Sequence, residues 1–283
     1  MSSPSPRSRP FHQVDVFSRE PYRGNPLAVV ADAEGLTAEQ MQQFANWTNL
    51  SETTFLLPPT DPRADYRVRI FTGTEEFPFA GHPTLGSAHT WLESGGVPQA
   101  EGFVVQECGV GLVRVKHDAG RLAFAAPPLS RFGPVEGELR SQLAAGLRVP
   151  VSDILDASWL VNGPEWIGVL LGSADQVLAI QPDFAAMGEL KVGVVGAHGP
   201  GTEADFEVRT FLPGDSITED PVTGSFNAGV AQWLINSKRA PGEYVAAQGT
   251  VLGRAGRVHV TAKDGDIWVG GHSTTCIRGT VLL

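Results

Sequence analysis

Two stretches of this chain read as copies of one another, and a duplication limits what the chain can fold into more than any other feature. "HPTLGSAHTWL" begins at His82 and "DPVTGSFNAGVAQWL" begins at Asp220. Position 220 lies 138 beyond position 82, and at that spacing Pro83 falls on Pro221, Gly86 on Gly224 and Ser87 on Ser225. "RVRIF" (67–71) precedes the first copy and "EVRTF" (207–211) precedes the second. Downstream, "VRVKHDAGRLAFA" (113–125) resembles "VHVTAKDGDIWVG" (258–270), so that Gly120 and Gly265 each mark a hairpin turn. Strand, loop, Pro-started small-residue helix and hairpin occur twice in one order. This predicts an α/β (α+β) chain of two pseudo-symmetric halves. Each is a mostly antiparallel mixed sheet rolled around a central helix that starts near Pro83 or Pro221. Both central helices are rich in Gly, Ala and Ser and nearly free of large polar groups, as expected of a helix buried on most faces.

Short β-type runs punctuated by Gly, Pro and Asp fill the rest. They include "HQVDVF", "LAVV", "TFLL", "GFVVQE", "SWLVN", "WIGVLL", "QVLAI", "VGVVG", "YVAAQ" and "IRGTVLL". Two further helices are expected. "LTAEQMQQFANW" carries Thr37 as N-cap, Gln40 as the partner in a capping box, and a Leu36–Met41 staple. "GELRSQLAAGL" spaces Leu139, Leu143 and Leu147 four apart. The polar, Pro/Ser-rich residues 1–10 read as a disordered tail, 11–128 as the N-terminal half and 129–283 as the C-terminal half, with "APPLSRFGP" as the linker.

Of the 283 residues, 42% are hydrophobic and 18% charged, and the net charge is -10. A chain of this balance buries an ordinary core and offers no basic face for nucleic acid. No apolar run approaches the roughly 20 residues of a membrane span, and no signal peptide is seen, so a cytoplasmic protein is expected. The two cysteines, Cys108 and Cys276, read as free thiols.

The chemistry is expected at the helix starts. A helix N-terminus carries free N–H groups and about half a positive charge, so two such ends facing one cleft would clamp a carboxylate. Gly224 would let a ligand approach the backbone and Ser225 would add a hydroxyl. Read alone, Asp220 is a plain N-cap before a proline at N1, and His82 a cap or core histidine. Their matching places in two copies favour a site. Glu52, between a helix end and an apolar strand in "NLSETTFLL", has no visible counterpart in the second half, which favours a proton-handling role over a structural one. His82 and His89 lack a supporting ligand set, and no phosphate-loop or dinucleotide fingerprint occurs, so neither metal nor nucleotide cofactor is expected.

"GNPLAVV", "NLSETTF", "RIFTGTEEFPFAGHPTLGSAH" and "EDPVTGSFNAG" together resemble the phenazine-biosynthesis PhzF-like family, from about residue 11 to 283. The resemblance implies the diaminopimelate epimerase fold, an active site between the two halves, a homodimer and no cofactor. It implies Glu52 as acid/base glutamate, His82, Asp220 and Ser225 lining the substrate site, and Gly81 and Gly224 as backbone donors. Glu52, Asp220 and His82 are thus the catalytic candidates, and Gly81, Gly224, Ser225 and Thr223 the substrate-binding ones. Epimerase-type relatives carry a cysteine at each helix start, but Ala80 and "EDPVTGS" provide none, which disfavours a two-thiol racemase. The function expected is a cofactor-independent isomerase that moves a proton on a small carboxylate-bearing metabolite. The alternative is a non-catalytic binder of such a metabolite.

Overall fold

The computed structural model describes residues 6–214 and 217–283. They fall into two compact units, one running to Phe124 and taking in Gly271–Leu283, the other comprising Ala125–Gly270. The first contains β1 (Ser8–Val16), β2 (Asn25–Val30), α1 (Ala38–Thr48), β3 (Thr53–Leu57), β4 (Tyr66–Phe71), β5 (Glu76–Phe77), α2 (Gly81–Glu93), β6 (Phe103–Cys108), β7 (Gly111–Asp118) and β8 (Arg121–Ala125). The second contains β9 (Arg131–Pro134), α3 (Gly137–Leu147), β10 (Asp156–Val161), β11 (Glu165–Leu170), α4 (Ala174–Ala179), α5 (Phe184–Met187) and β12 (Lys191–Ala197). It continues with β13 (Phe206–Phe211), α6 (Gly224–Asn236), β14 (Glu243–Gln248), β15 (Gly256–Lys263) and β16 (Asp266–Gly271). The last strand, β17 (Ser273–Leu282), pairs antiparallel with β1.

The duplication is complete at the level of topology. The first sheet is ordered β17-β1-β2-β3-β4-β6-β7-β8, with β2–β3 and β4–β6 parallel and every other junction antiparallel. The second is ordered β9-β10-β11-β12-β13-β14-β15-β16, with the parallel junctions β11–β12 and β13–β14 at the same two places. A parallel junction needs a crossover long enough to return the chain, usually a helix. Those crossovers hold α1 and α2 in one unit, and α4 with α5, and α6, in the other.

Each sheet wraps a central helix. α2 packs against β1, β2, β3, β4, β6, β7 and β17, and α6 against β10, β11 and β15. Small residues make this close approach fit. A Cβ on Gly86 would lie 2.5 Å from Leu27 Cδ2, and one on Gly229 would lie 3.1 Å from Leu160 Cβ. The other sheet face is covered more simply in the first unit, where α1 lays Met41 and Ala45 on Val30, Phe55 and Phe71. In the second, residues of α3, α4 and α5 (Leu143, Leu147, Val177, Met187) cluster with Ile167, Val169, Val192 and Val194.

Local signals in the sequence account for several elements. Thr37 caps α1 in a reciprocal box: its Oγ1 accepts from Gln40 N (3.2 Å), and Gln40 Oε1 accepts from Thr37 N (2.9 Å). α3 occupies the whole of "GELRSQLAAGL". The turns at Ala119–Gly120 and Asp264–Gly265 both have two positive φ angles, as two-residue hairpins with the sheet's own twist require.

Four expectations are corrected. Ser8–Pro10 belong to β1, whose inward residues pair between β2 and β17, and are no tail; residues 1–5 lie outside the described residues. Residues 131–134 of the expected linker form strand β9 against β10. The C-terminal half does not extend to 283, because β17 hydrogen-bonds to β1 and returns Gly271–Leu283 to the first unit. "QVLAI" lies in α4 and its C-cap rather than a strand, since Ser173 Oγ accepts from Gln176 N and nucleates a helical turn there.

Candidate active site

The hydrogen bonding sets the register between the two helix starts, and it differs from the expected one. Glu76 bridges to Phe71, and Glu219 bridges to Phe211. Arg69 holds Glu76 through two bonds (2.6 and 2.5 Å), and Arg209 holds Glu219 through two bonds (2.8 and 2.9 Å). At the far ends, Ser94 N–H meets Leu92 O and Thr90 O, as Ser237 N–H meets Ile235 O and Trp233 O. The equivalent pairs, 143 positions apart, are therefore Glu76 and Glu219, Pro78 and Pro221, Gly81 and Gly224, Gly86 and Gly229. Pro83 is the third residue of α2, whereas Pro221 precedes α6 by three residues, so neither proline starts a helix. His82 is equivalent to Ser225 and not to Asp220, and the N-caps are Ala80 and Thr223. The signal was present in "EFPFAGHPTLGSA" and "EDPVTGSFNAGVA", where Glu, Pro, both glycines and the final Ala coincide.

In the first unit Glu52 and His82 come together. α1 ends at Asn49, in the left-handed conformation, and Glu52 follows three residues on, just before β3. The first turn of α2 presents His82, 5% exposed at the side chain, to the carboxyl of Glu52, 17% exposed. Glu52 Oε2 lies 3.2 Å from His82 Nδ1, within ion-pair range but off the line of an N–H···O bond, so that Oε2 has no aligned donor among the described residues. A half-buried carboxyl beside an imidazole, open enough to meet a small molecule, is suited to taking and returning protons. Its asymmetry is real: Thr53 opposes Phe71 as Val192 opposes Phe211, so the residue equivalent to Glu52 is Lys191.

Neither central helix has a side-chain cap at its N-cap residue, which leaves the first-turn N–H groups of α2 and α6 for other acceptors. Gly81 is required by packing: an added Cβ would lie 2.3 Å from Phe124 Cζ, on a ring with no exposure. Gly81→Ala is expected to cost about 1–3 kcal/mol by overpacking. Denaturant unfolding of the variant checks this, and unchanged stability would show that Phe124 yields freely.

In the second unit Asp220 leads into α6. Its Oδ2 accepts from Thr223 Oγ1, and its N–H bonds to Thr210 O at 3.2 Å. Thr223 was expected to bind substrate, but its side chain turns into the core. It is 6% exposed, its hydroxyl meets Asp220, Thr210 and Gln248, and its N–H is taken by Gln248 Oε1 (3.0 Å). Ser225 is the second residue of α6 and is half-buried. Trp166 Nε1, which can only donate, bonds to Ser225 Oγ at 3.0 Å, so the hydroxyl proton of Ser225 points elsewhere. Asn162 Nδ2 fixes the same residue through its carbonyl (2.8 Å). Trp166 and Gln248 were missed in the sequence because they lie on strands distant in sequence from the start of α6, and Arg209 and Thr210, on the strand just before it, because only the folded loop turns them toward Glu219 and Thr223.

Cys108 and Cys276 are both free and lie in β6 and β17, so neither belongs to the first turn of α2 or α6. Burial pushes both thiols above the ordinary thiol range, which opposes the thiolate that proton transfer by cysteine needs. Replacing both by serine should leave any proton-transfer activity within about twofold; a loss with the fold intact, followed by kcat and circular dichroism, would restore a thiol mechanism. Among the described residues, no cluster of three or more His, Cys, Asp or Glu is arranged to hold a metal ion. No helix there is long and apolar enough to cross a membrane.

Two pseudo-equivalent units, each a mixed sheet rolled around a buried helix, define the diaminopimelate epimerase-like class of fold. Residues 14–279 match the family model described as phenazine biosynthesis-like protein (PhzC-PhzF), and the chain belongs to that family. It is 36% identical to antisense-enhancing sequence 1 of Schizosaccharomyces pombe, over 95% of this chain and 97% of that protein. It is 31% identical to the trans-2,3-dihydro-3-hydroxyanthranilate isomerase of Pseudomonas aeruginosa, over 88% and 89% of the two chains. A PhzF-family crystal structure from Enterococcus faecalis covers 98% of this chain, and all of its own, with a TM-score of 0.81 at 28% identity. This membership supports a general isomerase role.

Proposed function

We propose that this protein is a cofactor-independent isomerase in which Glu52 removes a proton from a small carboxylate-bearing metabolite and returns it at another position. The observation that carries the reading is the approach of the Glu52 carboxyl to His82, 3.2 Å, at the uncapped start of α2. Glu52 acts as base and then as acid, with the His82 imidazole beside its carboxyl. The first-turn N–H groups at Gly81 bind a substrate oxygen, since they have no side-chain cap and carry the positive end of the helix dipole. Asp220 and Ser225 are assigned the corresponding proton-handling and donor roles at the start of α6. Positioned acid–base catalysis supplies roughly 10²–10⁴-fold, so the substrate must already carry a C–H bond acidified by conjugation.

Incubation in deuterium oxide with trans-2,3-dihydro-3-hydroxyanthranilate, the compound named for the Pseudomonas aeruginosa relative, is the first test. Deuterium appearing on carbon in an isomerised product, followed by mass spectrometry and NMR, is the expected result. A panel of conjugated hydroxy and amino carboxylates widens the search. Compounds that bind without any exchange would identify the protein as a binder.

A further inference from the structure

The second unit contains a buried chain of hydrogen bonds whose direction can be worked out atom by atom. Gln248 ends β14 with no exposure, and its Oε1 accepts from Thr223 N–H (3.0 Å) and from Asn227 Nδ2 (2.9 Å). A backbone N–H only donates, so this contact fixes which end of the amide is oxygen. Gln248 Nε2 is consequently a donor, and it faces Thr210 Oγ1 (3.0 Å), Thr223 Oγ1 (3.1 Å) and Asp220 O (3.1 Å). The Thr210 and Thr223 hydroxyls are 2.7 Å apart, and Thr223 Oγ1 meets Asp220 Oδ2.

Each hydroxyl has one proton. With Thr223 donating to Asp220, Thr210 donates to Thr223 and accepts from Gln248, and every group is satisfied. Reversed, with a proton on Oδ2 donated to Thr223, the Thr223 proton passes to Thr210, and the Thr210 proton then faces only the Gln248 amide donor within this cluster. A buried donor left unmatched costs about 1–3 kcal/mol, so the first arrangement prevails.

We infer that Gln248, Thr210 and Thr223 are positioning residues that hold Asp220 Oδ2 as a hydrogen-bond acceptor, so that any proton Asp220 carries is on Oδ1. The corresponding positions of the first unit show that the fold does not demand this chain. They are Cys108, Ile70 and Ala80, none of which can build it, and the position equivalent to Asp220 is Phe77. The value of the chain to catalysis rests on the proton-handling role proposed above for Asp220, but its polarity does not.

The test is a titration of the Asp220 carboxyl by NMR of the full chain carrying ¹³C-labelled aspartate, with Asp220→Asn identifying the signal. Thr223→Val removes the donor with little change of shape and should raise the titration midpoint by about one pH unit, a tenfold gain in proton affinity. Thr223→Ser should restore the wild-type midpoint, which a purely structural role for the side chain would not explain. Thr210→Val should move the midpoint in the same direction by a smaller amount and serves if Thr223→Val fails to fold. A midpoint unmoved in a folded valine variant would overturn the assignment. Turnover by Asp220→Asn on an exchanging substrate is the separate measurement for the functional reading: wild-type rates there would remove Asp220 from the chemistry and leave the titration result standing.

Discussion

Glu52→Gln should reduce turnover on an exchanging substrate by at least about 10²-fold while leaving ligand affinity within a few-fold. Glutamine keeps the length and polarity of the side chain and removes the group that takes up and returns the proton. His82, 3.2 Å from Oε2, is anchored in α2 and should not move, so the loss belongs in kcat and not in KM. Deuterium wash-in should fall in step with kcat, because both need the same proton abstraction. The measurement is a kcat and KM pair with an exchange rate for wild type and variant. Wild-type-like kcat with full exchange would remove Glu52 from the mechanism. A raised KM with kcat intact would make it a binding residue.

Arg209→Met should destabilise the protein by about 3–5 kcal/mol, whereas the equivalent Arg69→Met should cost about 0–1 kcal/mol. The two arginines make the same two-pronged contact at the same strand position, so burial is the variable. The Arg209 side chain is 3% exposed and Glu219 13%, against 28% and 40% for Arg69 and Glu76. Arg209 also donates to Val177 O (3.1 Å) and Ile180 O (2.8 Å), tying the loop before Asp220 to the end of α4. Removing it strands a half-buried carboxylate and takes a donor from the carbonyls of Val177 and Ile180, while the pair near the surface exchanges protein contacts for water. Urea unfolding of both variants is the check, and equal losses would show that burial is not what separates them.

How much was legible in advance depends on how far each signal reaches along the chain. The capping box of α1, the extent of α3 and the glycine turns at 120 and 265 are local: a hydroxyl three residues from a glutamine, or a φ that only a few residues adopt, decides them. The presence of two copies was also visible, because strand, helix and hairpin motifs recur in order. Their register was not resolved correctly, since a Pro–Gly–Ser coincidence at a spacing of 138 competed with the Glu, Pro and Gly coincidences at 143. The bridges Phe71–Glu76 and Phe211–Glu219 decide between them, and those form only when strand and loop are paired in space.

The two-copy architecture, the buried small-residue helices and the family are legible in the chain alone, because all of them follow from patterns that repeat or extend over many residues. Tertiary structure alone decided that β17 completes the first sheet, that Glu52 meets His82 across 30 positions of chain, and that Thr223 turns inward. It also gathered Thr210, Thr223 and Gln248 from a strand, a helix start and another strand behind Asp220. Side-chain contacts between distant segments carry no periodicity in the sequence. They exist only once the sheet has brought its strands about 5 Å apart and closed around the helix.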